Sequence, residues 1–192
     1  MTKINEKCDI VPDTLEYADC TMERNEQLEV WMRGPIPGIP ALLQPVAHAL
    51  LQAKEEVTRY MEGVNDLLLW QRPGGVASIG FHLQHMAGVI DRMFTYAEGR
   101  PLSEIQLAYL YAEGKETKSG GAQQLVNAFS ERVDAAVQEL SQVDESTLTN
   151  VRYLGRKQIP TTRMGLLFHA AEHTQRHVGQ LLVTIRFLKA DE

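Results

Sequence analysis

Residues 166–181 read Leu166-Leu167-Phe168-His169-Ala170-Ala171-Glu172-His173-Thr174-Gln175-Arg176-His177-Val178-Gly179-Gln180-Leu181. Within and beyond this stretch Leu167, Ala171, Thr174, Val178, Leu181, Ile185 and Leu188 recur at threes and fours, the spacing of a helix that lays one face on a core. The line holds over the full length, as a seam between packed helices requires. The same helix carries His169, His173 and His177 at intervals of four. Residues four apart on a helix are turned by only about 40° from each other, so the imidazoles stand in a row, and a His-x-x-x-His pair can chelate an ion.

Upstream, further segments repeat the period. The first runs through Leu43, Val46, Leu50, Val57, Met61, Val64 and Leu68, with Ala53 in the missing place, until Pro73-Gly74-Gly75 stops it. The second starts behind an N-cap at Ser78 and follows Ile79, Leu83, Met86, Ile90, Met93 and Ala97 to a stop at Gly99 and Pro101. A long connection follows. The third begins after Ser119-Gly120-Gly121, places Val126, Phe129, Val133 and Leu140 on one side, and ends near Ser141. Between it and the final helix, which is expected to open at Thr161 or Thr162, lie turn formers and a short strand-like stretch, 150–154. A lone pairing there would decorate a helical domain. Amphipathic helices with no convincing strand between them predict an all-α fold, a four-helix bundle over residues 41–192, with the up-down order left open by two long connections.

Residues 1–40 are expected to be an N-terminal extension or arm. As far as Arg33 they are polar and without a sustained period, and the run 34–40, Gly-Pro-Ile-Pro-Gly-Ile-Pro, ends any preceding helix because proline restricts both itself and the residue before it. The arm holds both cysteines, Cys8 and Cys20, whose place in this polar segment outside the expected bundle suits free thiols better than a structural disulfide, and whose separation fits no compact zinc-ligand spacing.

A chain of 192 residues with 44% hydrophobic and 23% charged residues is expected to form one soluble globular domain. Its net charge of -6 supplies no cation excess for phosphates, which argues against a nucleic-acid partner. Apolar runs are broken well before they could span a bilayer, and Met1–Asp13 lacks an apolar signal core, so no membrane partner and a cytoplasmic setting are expected.

The histidines are the informative feature. A lone histidine on a helix is most often a polar residue beside a core. Here five of six, His82, His85, His169, His173 and His177, concentrate on two helices beside their seams. Neutral imidazoles buried together need partners and repel when protonated, and a metal ion supplies a common partner. His48, alone on the first helix, reads as structural or exposed.

The stretch Ser78-Ile79-Gly80-Phe81-His82-Leu83-Gln84-His85-Met86 resembles the DinB-like motif in which a ligand histidine follows an S-I-x-x-x-L-x start, and His173-Thr174-Gln175-Arg176-His177-Val178-Gly179-Gln180-Leu181 resembles that family's closing H-x-x-x-H-x-G-Q-L element. The resemblance covers roughly residues 39–189 and implies a DinB-like four-helix bundle with an extra N-terminal segment, metal ligands His85, His173 and His177, and a homodimer. His82 and His169 are then supporting or core residues. Glu172, Gln84 and Gln180 are the nearest sequence candidates to accept the second N–H of each ligand ring.

Three imidazoles suit zinc, nickel or a similar divalent ion and leave at least one position open. Relatives implied by the resemblance include thiol-dependent S-transferases and a thiol-dependent isomerase, so a metal-dependent transferase or hydrolase acting on a small molecule, with a low-molecular-weight thiol as cofactor, is one expectation. The other is a non-catalytic metal-binding bundle with a stress-related or regulatory role. No G-x-S-x-G, phosphate loop, H-E-x-x-H or paired E-x-x-H occurs to suggest different chemistry.

Overall fold

The computed structural model describes residues 28–116 and 120–190, which divide into two units at Gly34. Cys8, Cys20, Ser119 and most of the expected arm lie outside the described residues. In the first unit Val30–Arg33 forms one 3-10 turn, with the Trp31 indole N–H donating to Glu29 Oε2 at 2.6 Å and the Arg33 guanidinium donating to the Leu28 carbonyl.

The second unit is predominantly helical: α1 Gln44–Met61, α2 Ile79–Ala97, α3 Glu104–Ala112, α4 Ala122–Leu140 and α5 Arg163–Ala190, with one antiparallel hairpin of β1 Val151–Leu154 and β2 Ile159–Thr162. The start of α1 is held by Gln44, whose amide exchanges hydrogen bonds with Ile36 and donates to the Ile39 carbonyl, tying the proline-rich run to the helix it precedes. The first apolar line does not stay helical as far as Leu68. Gly63 takes φ +64°, which ends the helix, and Val64 and Leu68 reach the core through a separate turn whose Asn65 side chain accepts from Leu67 N–H. Ser78 caps α2 by accepting from Phe81 N–H at 3.2 Å. Gly121 offers α4 no side-chain cap, and Asp66 substitutes from a distance by accepting from Ala122 N–H at 2.7 Å.

The four long helices share one core, in which Leu50, Ile79, Leu83, Ile90, Phe129, Leu140, Leu167 and Leu181 are fully buried. Each such side chain contributes on the order of 1.5–3 kcal/mol by leaving water. Both α1 and α2 pack against both α4 and α5. Cross-contacts give the directions. Leu42 with Glu145, Lys54 with Asp134 and Asp66 with Ala122 make α1 and α4 antiparallel; His85 with His173 and Glu98 with Arg163 make α2 and α5 antiparallel; Ala49 with Gln175 and Glu62 with Lys189 make α1 and α5 parallel. It follows that α2 and α4 run the same way, so the chain between them must travel back along their length.

That return is the long connection seen in the sequence, and it contains a helix the periodicity did not predict. Ser103 and Gln106 form a capping box that starts α3, which climbs along α2 with Gln106 beside Asp91 and Thr95 and Tyr109 beside Gln84. The expectation of an all-α chain is corrected by the hairpin as well: the strand-like stretch finds a partner in 159–162, and Arg163 N–H and Met164 N–H then donate to the Asn150 and Leu148 carbonyls as α5 begins.

Candidate metal centre

His85 on α2 and His173 and His177 on α5 bring ligand nitrogens within 4.8 Å of one another. The antiparallel packing of the two helices places them there. His85 Nε2 stands 3.0 Å from His173 Nε2, and His177 Nε2 stands 3.1 Å from the same atom. Two nitrogens bound to one zinc at about 2.0–2.1 Å, at octahedral to tetrahedral angles, lie roughly 2.9–3.4 Å apart. The donor set therefore fits a single divalent ion. Phe81 stacks on His85 with ring centroids 5.0 Å apart and planes at 12°, which fixes that ring from one face.

The electrostatics also suit a cation. Burial, and then the charge His85 would carry, hold His82 and His173 down to about 4 and His177 down to about 3. These rings are neutral at physiological pH, the state in which imidazole donates its lone pair to a metal.

Behind the convergent nitrogens each ring has a different partner. His85 Nδ1 lies 2.7 Å from Glu113 Oε2, and Glu113 Oε1 accepts from Arg92 Nη1 at 2.5 Å. His177 Nδ1 lies 2.9 Å from Nδ1 of the buried His82. His173 Nδ1 is 3.0 Å from Arg176 Nη2; since a guanidinium only donates, that nitrogen accepts here, and ligation through Nε2 requires the Arg176 side chain, 59% exposed, to turn away.

The side chains expected to support the rings are placed differently from the sequence reading. Gln84 spends its amide on Gly114 N–H and the Lys115 carbonyl, Gln180 is exposed, and Glu172 pairs with His169 Nδ1 at 3.0 Å and with Arg176. Gln84 and Glu172 each precede a candidate ligand by one residue, which turns them about 100° away from it. Glu113 and Arg92 were not singled out by the sequence, because the bond from Glu113 to His85 spans 28 residues and no local spacing announces it. His169 sits at the rim with its side chain 41% exposed, and His48 is part-buried on α1, outside the cluster. A cavity of about 390 Å³ lined by Thr58, Met61, Asp66, Ala122 and Val126 holds none of the histidines, so donor chemistry rather than cavity size marks the site.

Among solved structures, the fold is similar to a conserved protein from Enterococcus faecalis, at 18% identity over 75% of this chain and 95% of that one with a TM-score of 0.54. It is similar likewise to a DinB-like protein from Bacillus cereus ATCC 10987, at 18% identity over 73% of this chain and 91% of that one with a TM-score of 0.54. At such identity the likeness is one of fold. No curated protein matches the chain. The family model of the DinB superfamily matches residues 49–181, a span that takes in α2 and its His85, the whole of α4, and α5 through both of its convergent histidines; the chain belongs to the DinB superfamily.

Proposed function

We propose that this protein binds one divalent metal ion, zinc or nickel, through His85, His173 and His177, and uses the remaining coordination position for a small molecule, foremost a low-molecular-weight thiol. The observation that carries this is the convergence of three Nε2 atoms from two antiparallel helices at 3.0 and 3.1 Å. Membership of the superfamily supports it, as does the reading of α1, α2, α4 and α5 as a DinB-type four-helix bundle. The proposal extends to thiol S-transfer or hydrolysis as the reaction and to a homodimer in the cytoplasm, which the sequence alone supports and whose mass light scattering would read.

A divalent ion held there supplies Lewis acidity and lowers the pKa of the thiol or water it binds. The chain's own residues do the rest. His177, and His173 once Arg176 has turned from its Nδ1, are held neutral and present lone pairs rather than charge to the centre. Phe81 covers one face of His85 and keeps water from that side. Arg176 and His169 stand at the rim, where a guanidinium and an imidazole can receive an anionic group on an incoming thiol or electrophile.

The test loads the protein with cobalt and titrates low-molecular-weight thiols while recording the sulfur-to-cobalt charge-transfer band, with thiol consumption by an electrophile measured in parallel. A band, and turnover that falls in His85→Ala, His173→Ala and His177→Ala but not in His48→Ala, is expected. Metal retained in all three ligand variants would remove the site. Metal bound without band or turnover would leave the non-catalytic stress-related or regulatory role in place of the transferase.

A further inference from the structure

Helix α3 reads Glu-Ile-Gln-Leu-Ala-Tyr-Leu-Tyr-Ala, largely apolar, and yet buries none of its residues. What holds it and the following turn to α2 is polar. Gln106 Nε2 donates to Asp91 Oδ2 and Thr95 Oγ1, both at 2.7 Å, the Tyr109 hydroxyl donates to the Gln84 carbonyl at 3.1 Å, and Gly114 N–H donates to Gln84 Oε1 at 2.8 Å. At the end of this ladder one acidic side chain turns inward. The Glu113 side chain is 5% exposed and lies between His85 Nδ1 and the guanidinium of Arg92, whose side chain is 7% exposed.

A buried ion pair is a weak means of stabilising a fold, since apolar side chains of similar volume often serve as well. Its position beside a ring of the candidate metal site gives it another use. Helix α2 is shaped to admit it: a Cβ on Gly88 would collide with Glu113 Oε1, Arg92 Nη1 and the Tyr109 ring. Gly88 is thus the gap through which the pair reaches His85, one turn earlier on the same helix.

We propose that Glu113 is the positioning residue of the metal centre, accepting from His85 Nδ1–H so that the Nε2 lone pair faces His173 and His177, with Arg92 holding the carboxylate in place; this rests on the metal site proposed above. A carboxylate offers only acceptors, so its contact with Nδ1 selects the tautomer that leaves Nε2 free for a metal. The segment that supplies Glu113 comes from outside the four long helices, so docking of α3 on α2 completes the surroundings of the site.

The test uses the full chain, metal-free and with zinc alone. Nitrogen-15 correlation spectra of the His85 ring in the metal-free protein read its tautomer, and competition with a chromophoric chelator reads zinc affinity. Two variants remove the contact without stranding a charge: the double variant Glu113→Leu with Arg92→Met, and Gly88→Ala, which keeps both side chains but takes their space while favouring helix. Both are expected to lose the pure Nδ1–H tautomer and to bind zinc roughly 10- to 100-fold more weakly, whereas Gln106→Ala, which cuts the ladder away from Glu113, stays within about twofold of the native protein. Native tautomer and native affinity in either Glu113-displacing variant that folds would overturn the proposal. An equal loss in Gln106→Ala would overturn it too, by assigning the effect to α3 docking in general. Failure of the native protein to bind zinc would sink the metal site, while the metal-free tautomer would still decide whether Glu113 orients His85.

Discussion

His82, His173 and His177 are rings that the fold keeps from protonating. An imidazole in an unfolded chain titrates near 6.5. In the fold, burial first and the charge on His85 second hold these three at about 4, about 4 and about 3. Between those values the unfolded state binds more protons, so the metal-free protein keeps this stability in full above about pH 6.5 and loses it as pH falls toward 4 and then 3. Urea denaturation of the metal-free chain should give a lower midpoint near pH 5 than near pH 7.5, and the difference should shrink in His82→Ala, which removes one of the depressed groups; equal slopes in the two proteins would show that His82 protonates freely in the fold. The residues behind this behaviour were unequally legible in the sequence. His173 and His177 stand on one helix, where the geometry of a turn fixes their relation before any tertiary structure is known. His85 has no such anchor, and only the resemblance of Ser78–Met86 to the DinB-like motif points to it. Glu113 was invisible, since Tyr-Ala-Glu-Gly at 111–114 differs in nothing local from a solvated acid, and only the return of the chain along α2 brings it to His85.

Gly80 in the first turn of α2 and Gly179 inside α5 are helical glycines that sequence alone treats alike, and the packing separates them. Gly80 in α2 lies against the ring of Trp70, so that a Cβ would stand 2.5 Å from Cζ3, and it donates its N–H to the Leu69 carbonyl at 2.7 Å. Gly179 in α5 is exposed, with nothing within 4 Å of where a Cβ would be. Replacing glycine by alanine in a helix is worth about 0.5–1 kcal/mol where space is free, whereas overpacking a filled site costs about 1–3 kcal/mol. Gly179→Ala should therefore raise the thermal midpoint and Gly80→Ala should lower it, as calorimetry of the two variants would show; a gain at Gly80 would mean that the indole can slide aside. At this scale the apolar period located all four long helices, because each buries one continuous face. It overran the end of α1, because Val64 and Leu68 keep the spacing while Gly63 bends the backbone. It missed α3 because that helix has no buried residue and so no apolar face to detect; Ser103 and Gln106, the two halves of its capping box, were the available signal.

The three convergent histidines are divided between α2 and α5, neighbours in space that are separated in the chain by α3, α4 and the hairpin. An ion bound by side chains from both would act on the folding of the whole unit, since the site exists only when the two helices are packed antiparallel. A ligand that binds the folded state alone adds RT ln(1 + [L]/Kd), about 2.7 kcal/mol at a free concentration one hundred times Kd. For a domain of this size that corresponds to a rise of roughly 5–10 °C in thermal midpoint. The rise should be cooperative, moving the unfolding of α1 and α4 together with that of α2 and α5, because both pairs share one core around Leu50, Ile90, Phe129 and Leu181. Hydrogen exchange with and without zinc reads this element by element. Protection should increase in all four long helices by a similar factor, and less in α3, whose attachment to α2 is polar and whose opening need not disturb the core. His173→Ala should abolish the shift while leaving the metal-free midpoint close to native, since that ring is only part-buried. Protection confined to the turns of α2 and α5 next to the histidines, with the global midpoint unmoved, would mean that the ion occupies a local surface site and that the packing of these helices does not depend on it.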